Sequence, residues 1–155
     1  MENASLAQAI LITLGQPVPV TQVNANEDVA ASLIPAGTVF QSNETWAASP
    51  NSEYILVLQA DGNLVLYVLI GASQPLAQGV QVNVRPLWAA GTQDNRGDTF
   101  EVQSDGNLVV YRPDRSPLWA SNTAGTWPAG LCVQDDGNLV LYKFVPAWAS
   151  NTVQA

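Results

Sequence analysis

The chain has 155 residues, enough for one domain with a real core, and a composition of 47% hydrophobic and 12% charged residues that is unlike a disordered chain. A net charge of −8, from five Lys and Arg against thirteen Asp and Glu, repels phosphate backbones and anionic bilayers and so argues against nucleic acid as a partner and against membrane insertion. There is no histidine, the commonest general base and metal ligand, and the single Cys132 has no intrachain partner for a disulfide.

In chain order, residues 1–32 form an N-terminal extension that matches nothing downstream. Its apolar stretch, ASLAQAILITL at 4–14, is compatible with a short helix or a strand, and periodicity leaves both open. No Lys or Arg precedes that stretch, so it is a poor secretory signal. Three readings follow: export by another route, retention inside the cell, or a missing natural leader. The run is also shorter than the roughly 20 apolar residues of a membrane span. Two sequons, Asn3-Ala-Ser and Asn43-Glu-Thr, matter only in a eukaryotic secretory chain and are read as chance.

Residues 33–155 are read as one domain. AGTVF at 36–40 and ETWAAS at 44–49 supply a partial unit, with Trp46 in what looks like a degraded tryptophan strand. A nine-residue phrase then occurs three times: QADGNLVLY at 59–67, QSDGNLVVY at 103–111 and QDDGNLVLY at 134–142. A second element follows each copy: PLWAAGT at 86–92, PLWASNT at 117–123 and PAWASNT at 146–152. The first gap holds an insertion, LIGASQPLAQGVQVN at 69–83, which reads as a loop or an added hairpin. Internal repetition on this scale decides the architecture.

Asp-Gly between alternating apolar residues is a hairpin signal. A three-residue loop, Ala60-Asp61-Gly62, with glycine in the left-handed conformation, keeps the faces consistent where a two-residue loop does not. It sets Leu58 against Leu64 and Leu56 against Leu66 on the apolar face, with Val57 against Val65 and Gln59 against Asn63 on the other. Phe100, Val102, Leu108 and Val110 are the equivalents in the second repeat, and Leu131, Val133, Leu139 and Leu141 those in the third. Three such sheets must bury their apolar faces on one another, giving a triangular, all-β prism with pseudo-three-fold symmetry. Trp88, Trp119 and Trp148 are the expected central filler, and exposed Trp127 is the one tryptophan considered as a stacking surface for sugar. Cys132 is expected on the outward face opposite Val140, as a small structural residue.

The alternation of Q-x-D-x-N-x-V-x-Y with W-A-S-N-T resembles the monocot mannose-binding, or bulb-type, lectin family, whose fold is the β-prism II. The resemblance covers roughly 33–152. It implies three carbohydrate-binding sites: Gln59, Asp61, Asn63, Val65 and Tyr67; Gln103, Asp105, Asn107, Val109 and Tyr111; and Gln134, Asp136, Asn138, Val140 and Tyr142. By the same resemblance Asp and Asn take the axial 2-hydroxyl of mannose, Gln the 3-hydroxyl and Tyr the 4-hydroxyl, while Val packs on the ring carbons.

This chemistry stands without the family, because amides, a carboxylate and a phenol together supply the donors and acceptors that sugar hydroxyls need. No metal and no cofactor is required. None of the fifteen positions departs from the pattern, so three competent, shallow sites are expected. Each should have a Kd on the order of 1 mM, with useful affinity coming from multivalent engagement of mannose-rich glycans.

Plant members usually carry a disulfide across the first repeat, with a cysteine where Gly62 stands, so this chain looks like another branch or an intracellular plant one. Family members are commonly secreted and commonly dimerise by exchanging a C-terminal strand, and PAWASNTVQA is placed to form such a homodimer. The alternatives are an antibacterial toxin docking on mannose-bearing polysaccharide, and an interaction or taste-modifying member with decayed sites. A glycosidase is disfavoured because each repeat brings a single motif carboxylate where two are needed across one bond.

Overall fold

In the computed structural model, residues 21–23, 33–42, 45–70, 83–93 and 97–152 are described. The expectations for the 4–14 stretch, both sequon asparagines and the centre of the insertion therefore lie outside the described residues. Among the described residues eleven strands form three sheets. They are β1 (Thr21–Val23), β2 (Val39–Gln41), β3 (Thr45–Ala48), β4 (Tyr54–Leu58), β5 (Leu64–Ile70), β6 (Asn83–Ala89), β7 (Thr99–Val102), β8 (Leu108–Tyr111), β9 (Pro117–Ala120), β10 (Pro128–Val133) and β11 (Leu139–Lys143). The sheets run β1-β3-β4-β5-β6, β2-β7-β8-β9 and β10-β11.

Each repeated phrase is the hairpin its sequence predicts. Leu58 faces Leu64, Val102 faces Leu108 and Val133 faces Leu139, and the N–H of Gln59, Gln103 and Gln134 donates to the carbonyl of Asn63, Asn107 and Asn138, which leaves a three-residue loop in every copy. Gly62, Gly106 and Gly137 close these loops at φ of 85°, 93° and 85°, a conformation that glycine adopts without steric cost. The same glycines sit where the units meet. A Cβ on Gly106 would lie 2.1 Å from the Thr126 hydroxyl, and one on Gly137 would lie 2.8 Å from the Tyr54 ring. The Gly62 carbonyl, in turn, lies against Gly97. Each loop thus abuts the segment leading into the next unit, and the third returns to the first, so the repeat closes into a ring.

The inner faces meet in one core built from Leu56, Leu58, Leu64 and Leu66 of the first sheet, Phe100, Val102, Leu108 and Val110 of the second, and Leu131 and Val133 of the third. Ile34 and Phe40 complete it: Ile34 bridges to Leu131, and Phe40 faces Phe100 edge-on with ring centroids 5.3 Å apart.

Four expectations need correction. Tryptophan is not the central filler: Trp88 and Trp119 are half-buried and pack on the core, edge-to-face at 5.3 Å, while Trp148 is 82% exposed. Branched aliphatic residues and the phenylalanine pair fill the middle instead.

Second, the first sheet is buried on both faces. Trp46, Ile55, Val57, Val65, Tyr67 and Leu69 form another apolar cluster on its outer side, where a half-solvated face was expected. The indole N–H of Trp46 lies in that cluster without a hydrogen-bond partner among the described residues. Cys132 faces Val140 as expected but is buried on the outward side of the third sheet.

Third, the sheets are not purely antiparallel. β1, from the extension, joins the first sheet parallel to β3. Fourth, the ends of the insertion are strand, since Ile70 pairs with Asn83 and Leu69 with Val84 and so lengthen the β5–β6 hairpin.

The three sheets are unequal at one edge. β6 pairs with β5, placing Trp88 opposite Leu66, and β9 pairs with β8, placing Trp119 opposite Val110. Among the described residues β11 pairs with β10 alone, and 146–152 run exposed beyond it.

Candidate functional site

All three sets of predicted residues are assembled, each on one hairpin. The strand alternation sends Gln, Asn, Val and Tyr to the same side, and the loop holds Asp at their edge. In each copy one Asp oxygen accepts the N–H of the Asn two residues on, at 2.9 Å: Asn63 to Asp61, Asn107 to Asp105 and Asn138 to Asp136. This local turn fixes the carboxylate, and in the first two copies its second oxygen accepts no hydrogen bond among the described residues.

Across the hairpin Gln and Tyr are bonded. The Gln59 amide donates to the Tyr67 hydroxyl, and the Gln103 amide donates to Tyr111 at 2.6 Å. In the third copy the amide is reversed. Tyr142 donates to the Gln134 carbonyl, and Gln134 Nε2 reaches the Asp136 carboxylate at 3.1 and 3.3 Å.

The asparagines are held by residues that the sequence reading left without a role. Asn63 Oδ1 accepts the backbone N–H groups of Gly91 and Thr92, at 3.0 and 3.1 Å, while the Thr92 hydroxyl donates to the Gly62 carbonyl at 2.6 Å. Asn107 Oδ1 accepts from Thr123 N and from the Ser121 hydroxyl, both at 3.2 Å, and the Thr123 hydroxyl donates to Gly106 O at 2.5 Å. Backbone N–H groups only donate, so Oδ1 must be the oxygen and the NH2 of each amide is turned the other way. An uncommitted Asp oxygen beside an outward Asn NH2 forms an acceptor–donor pair, which a single hydroxyl satisfies by donating to one and accepting from the other. The signal was in the sequence: Thr recurs four residues after each Trp, at 92, 123 and 152.

The copies differ in access. Gln59 and Tyr67 are 8% and 9% exposed and Val65 is buried, whereas Tyr142 is 39% exposed. Burial pushes the Tyr67 phenol above its ordinary value, Gln59 pulls it back, and the Asp61 charge adds to the rise. The first site is therefore tight, the third open and the second between them.

The second site has further support. Arg115 lies 4.2 Å from the centre of the Tyr111 ring and pairs with Glu101 at 2.5 Å. Glu101 is held below the ordinary carboxylate range, first by the Arg115 bond and then by Gln103, against its burial. A cleft of about 370 Å³ runs from Gln103 and Asp105 past Glu101 to Thr38 and Val39. A second cleft leaves Asp105 on the other side towards Trp127.

Asp136 is also held below its ordinary value, first by the Asn138 N–H and then by the Gln134 amide. Lowering the folded value means that the carboxylate, and any stability or binding it gives, is complete above the ordinary Asp range. It is lost only as pH falls through the lowered value. A carboxyl-carbon NMR titration should place the Asp136 transition below that of an unstructured Asp, and Gln134→Ala should move it upward.

These features can be set against solved proteins. The mannose-specific agglutinin of snowdrop (Galanthus nivalis), solved with methyl α-D-mannoside, is 30% identical to this chain. The similarity covers 80% of this chain and 99% of the agglutinin, with a TM-score of 0.56. The chain belongs to the bulb-type mannose-binding lectin family. The Polygonatum cyrtonema lectin, solved with monomannoside, agrees over 76% of this chain and 94% of its own at 26% identity and a TM-score of 0.54.

Among curated proteins, the mannose-specific lectin of Narcissus tazetta is 40% identical over 64 residues, which is 41% of this chain and 36% of that lectin. The corresponding lectin of Narcissus pseudonarcissus is 39% identical over 64 residues, 46% of its length. The matched stretch thus spans less than half of either curated relative. No protein-family model matches the chain.

Proposed function

We propose that this chain is a non-catalytic lectin that binds α-mannose and mannose-containing glycans through its three hairpin sites, without metal or cofactor. The observation that carries this reading is the Asp105–Asn107 pair. One Asp105 oxygen accepts the Asn107 N–H and Asn107 Oδ1 accepts from Thr123 and Ser121, so that among the described residues the second carboxylate oxygen and the amide NH2 make no hydrogen bond. That arrangement suits a hydroxyl held in one direction, and a site built for one hydroxyl geometry rejects the epimer that misplaces it. The names of the snowdrop and Polygonatum complexes support the same sugar.

Hydrolysis is disfavoured because Asp61, Asp105 and Asp136 stand on three different sheets, and the Asp135 carboxylate beside Asp136 is committed to the Asn51 N–H at 2.8 Å. Nothing in the similarities favours the toxin alternative.

The proposed assembly is a homodimer formed by exchange of the C-terminal segment. β11 has an open edge, and 146–152 repeat the sequence of the strands that fill that edge in the other two sheets. The connector favours exchange over folding back. Residues 112–116 turn the chain from Tyr111 into β9, but only 143–145 lie between Tyr142 and Pro146, and no turn is formed among them.

Titration with methyl α-mannoside, followed by NMR with EDTA present and the glucoside as control, tests the sugar reading. Saturable shifts at the phrase amides with a Kd on the order of 1 mM, for the mannoside alone, are expected. Absence of shifts at tens of millimolar sugar would overturn it.

A further inference from the structure

In the first two sites the Trp strand has a second task besides packing: its terminal Thr docks on the loop glycine and presents the N–H that orients the motif asparagine. In the first hairpin Thr92 caps the Gly62 carbonyl and holds Asn63; in the second Thr123 caps Gly106 and holds Asn107. The third hairpin has the asparagine and the glycine but not the clamp. Among the described residues no hydrogen bond involves the Asn138 side chain, and its backbone N–H goes to Asp136. An unclamped amide is free to rotate, so it presents oxygen or NH2 to a ligand indifferently, and the acceptor–donor pair that reads a hydroxyl is not defined.

The missing part exists elsewhere in the chain, already shaped. The Ser150 and Thr152 hydroxyls are 2.7 Å apart, as Ser121 and Thr123 are at 2.6 Å in the docked segment. Asn151 has a φ of 57°, matching 58° at Asn122. The sequences are WASNT in both places. The segment therefore carries the conformation of a docked clamp while lying exposed, with Trp148 in solvent. Seated on a β11 edge, Trp148 would fall opposite Leu141, as Trp88 falls opposite Leu66 and Trp119 opposite Val110. Leu141 is half-buried at that position and packs on the same core as Trp88 and Trp119.

We propose that the third site is completed only by assembly: Thr152 of a second copy of this chain clamps Asn138, so that selective sugar reading at Gln134, Asp136, Asn138 and Tyr142 is acquired on dimerisation. This rests on the mannose reading and the exchange given above, and adds that dimerisation and ligand selectivity at the third site are thermodynamically linked, while the second site is independent of assembly. Thr152 is a positioning residue. It acts through Asn138 and does not itself touch the sugar.

The test uses the full chain and three variants. Trp148→Asp places a charge on a side chain already in solvent in the monomer, so the fold is kept and only docking is opposed. Without sugar, the Asn138 side-chain amide resonances of the wild-type dimer should move to new positions in Trp148→Asp, with sedimentation showing a monomer. An unchanged amide, or a variant that remains dimeric, overturns the proposal whether or not mannose binds.

With sugar, the shift of the Gly106 amide should saturate at the same concentration in both proteins. At Gly137 the mannoside response should weaken about tenfold in the variant and lose its preference over the glucoside, an effect of about 1.4 kcal/mol. Equal selectivity at Gly137 in the monomer also overturns the proposal. Thr152→Val should stay dimeric yet lose part of that selectivity, and Thr152→Ser should restore it; a role in packing alone would not distinguish the two. Should Gly106 fail to respond in any of these proteins while the Asn138 amide moves as expected, the clamp would be right and the mannose reading wrong, and the third-site proposal would fall with it.

Discussion

Asp105→Asn is expected to abolish measurable mannoside binding at the second site while leaving the domain folded. The substitution is nearly isosteric, and the new side-chain oxygen can still accept the Asn107 N–H that Asp105 accepts at 2.9 Å, so the loop keeps its shape. What changes is the second oxygen, which becomes an NH2. The pair offered to a hydroxyl is then donor beside donor, since Asn107 is fixed with its own NH2 outward by Thr123 and Ser121.

A hydrogen bond to a charged group contributes about 1.5–3 kcal/mol, and the replacement also leaves a donor facing a donor. A loss of about a hundredfold follows, which takes a millimolar site beyond practical titration. The Gly106 and Gly137 amides report the two sites separately. Only the Gly106 response should vanish, and the melting temperature should move little because Asp105 is exposed. Retained affinity in Asp105→Asn would mean that the carboxylate is not the acceptor, and the proposed reading of the 2-hydroxyl would fail.

The hairpins, their register and the grouping of the fifteen site residues were legible in the sequence because period-2 alternation and a left-handed glycine leave one consistent pairing. What was not legible has physical causes. The outer face of the first sheet reads as polar-facing from Gln59, Asn63 and Tyr67 alone, yet Val57, Val65, Ile55 and Trp46 lie on the same face and are buried, as Gln59 and Tyr67 are. A single strand's alternation does not reveal what packs on top of it.

The tryptophans misled in another way. A large apolar residue recurring in register is usually core, but register fixes only the partner strand. For Trp148 no partner strand lies within the described part of the same chain. The threonine clamp was hidden by habit of reading. Thr92, Thr123 and Thr152 recur as faithfully as the tryptophans, but a threonine at the end of a strand passes for a turn residue unless its distance from the repeated glycine is known.

Phe100→Ala should be the most damaging single change in the core. Phe100 and Phe40 are both fully buried, face each other across the β2–β7 pairing and meet edge-on at 5.3 Å with planes at 75°. Truncation removes the ring's transfer energy, its contact with Phe40 and its share of the filling of the common core. Such Phe→Ala changes cost about 3–5 kcal/mol, against a total of about 5–15 kcal/mol for a domain. For a chain of this size that lowers the melting temperature by about 6–20 °C, readable by calorimetry.

The location of the damage matters as much as its size. β2 is three residues long, and Phe40 is its one buried side chain, so Phe100 is what holds that edge strand on β7. Val39, next to Phe40, faces outward and lines the cleft beside Gln103 and Asp105. Loosening β2 should therefore change how the second site engages a branched glycan that extends along the cleft, and leave the affinity for methyl mannoside nearly as it was. Phe100→Leu, which keeps most of the volume, should cost far less stability and preserve both. A Phe100→Ala protein that melted within a few degrees of wild type would show that β2 is held by something other than this pair.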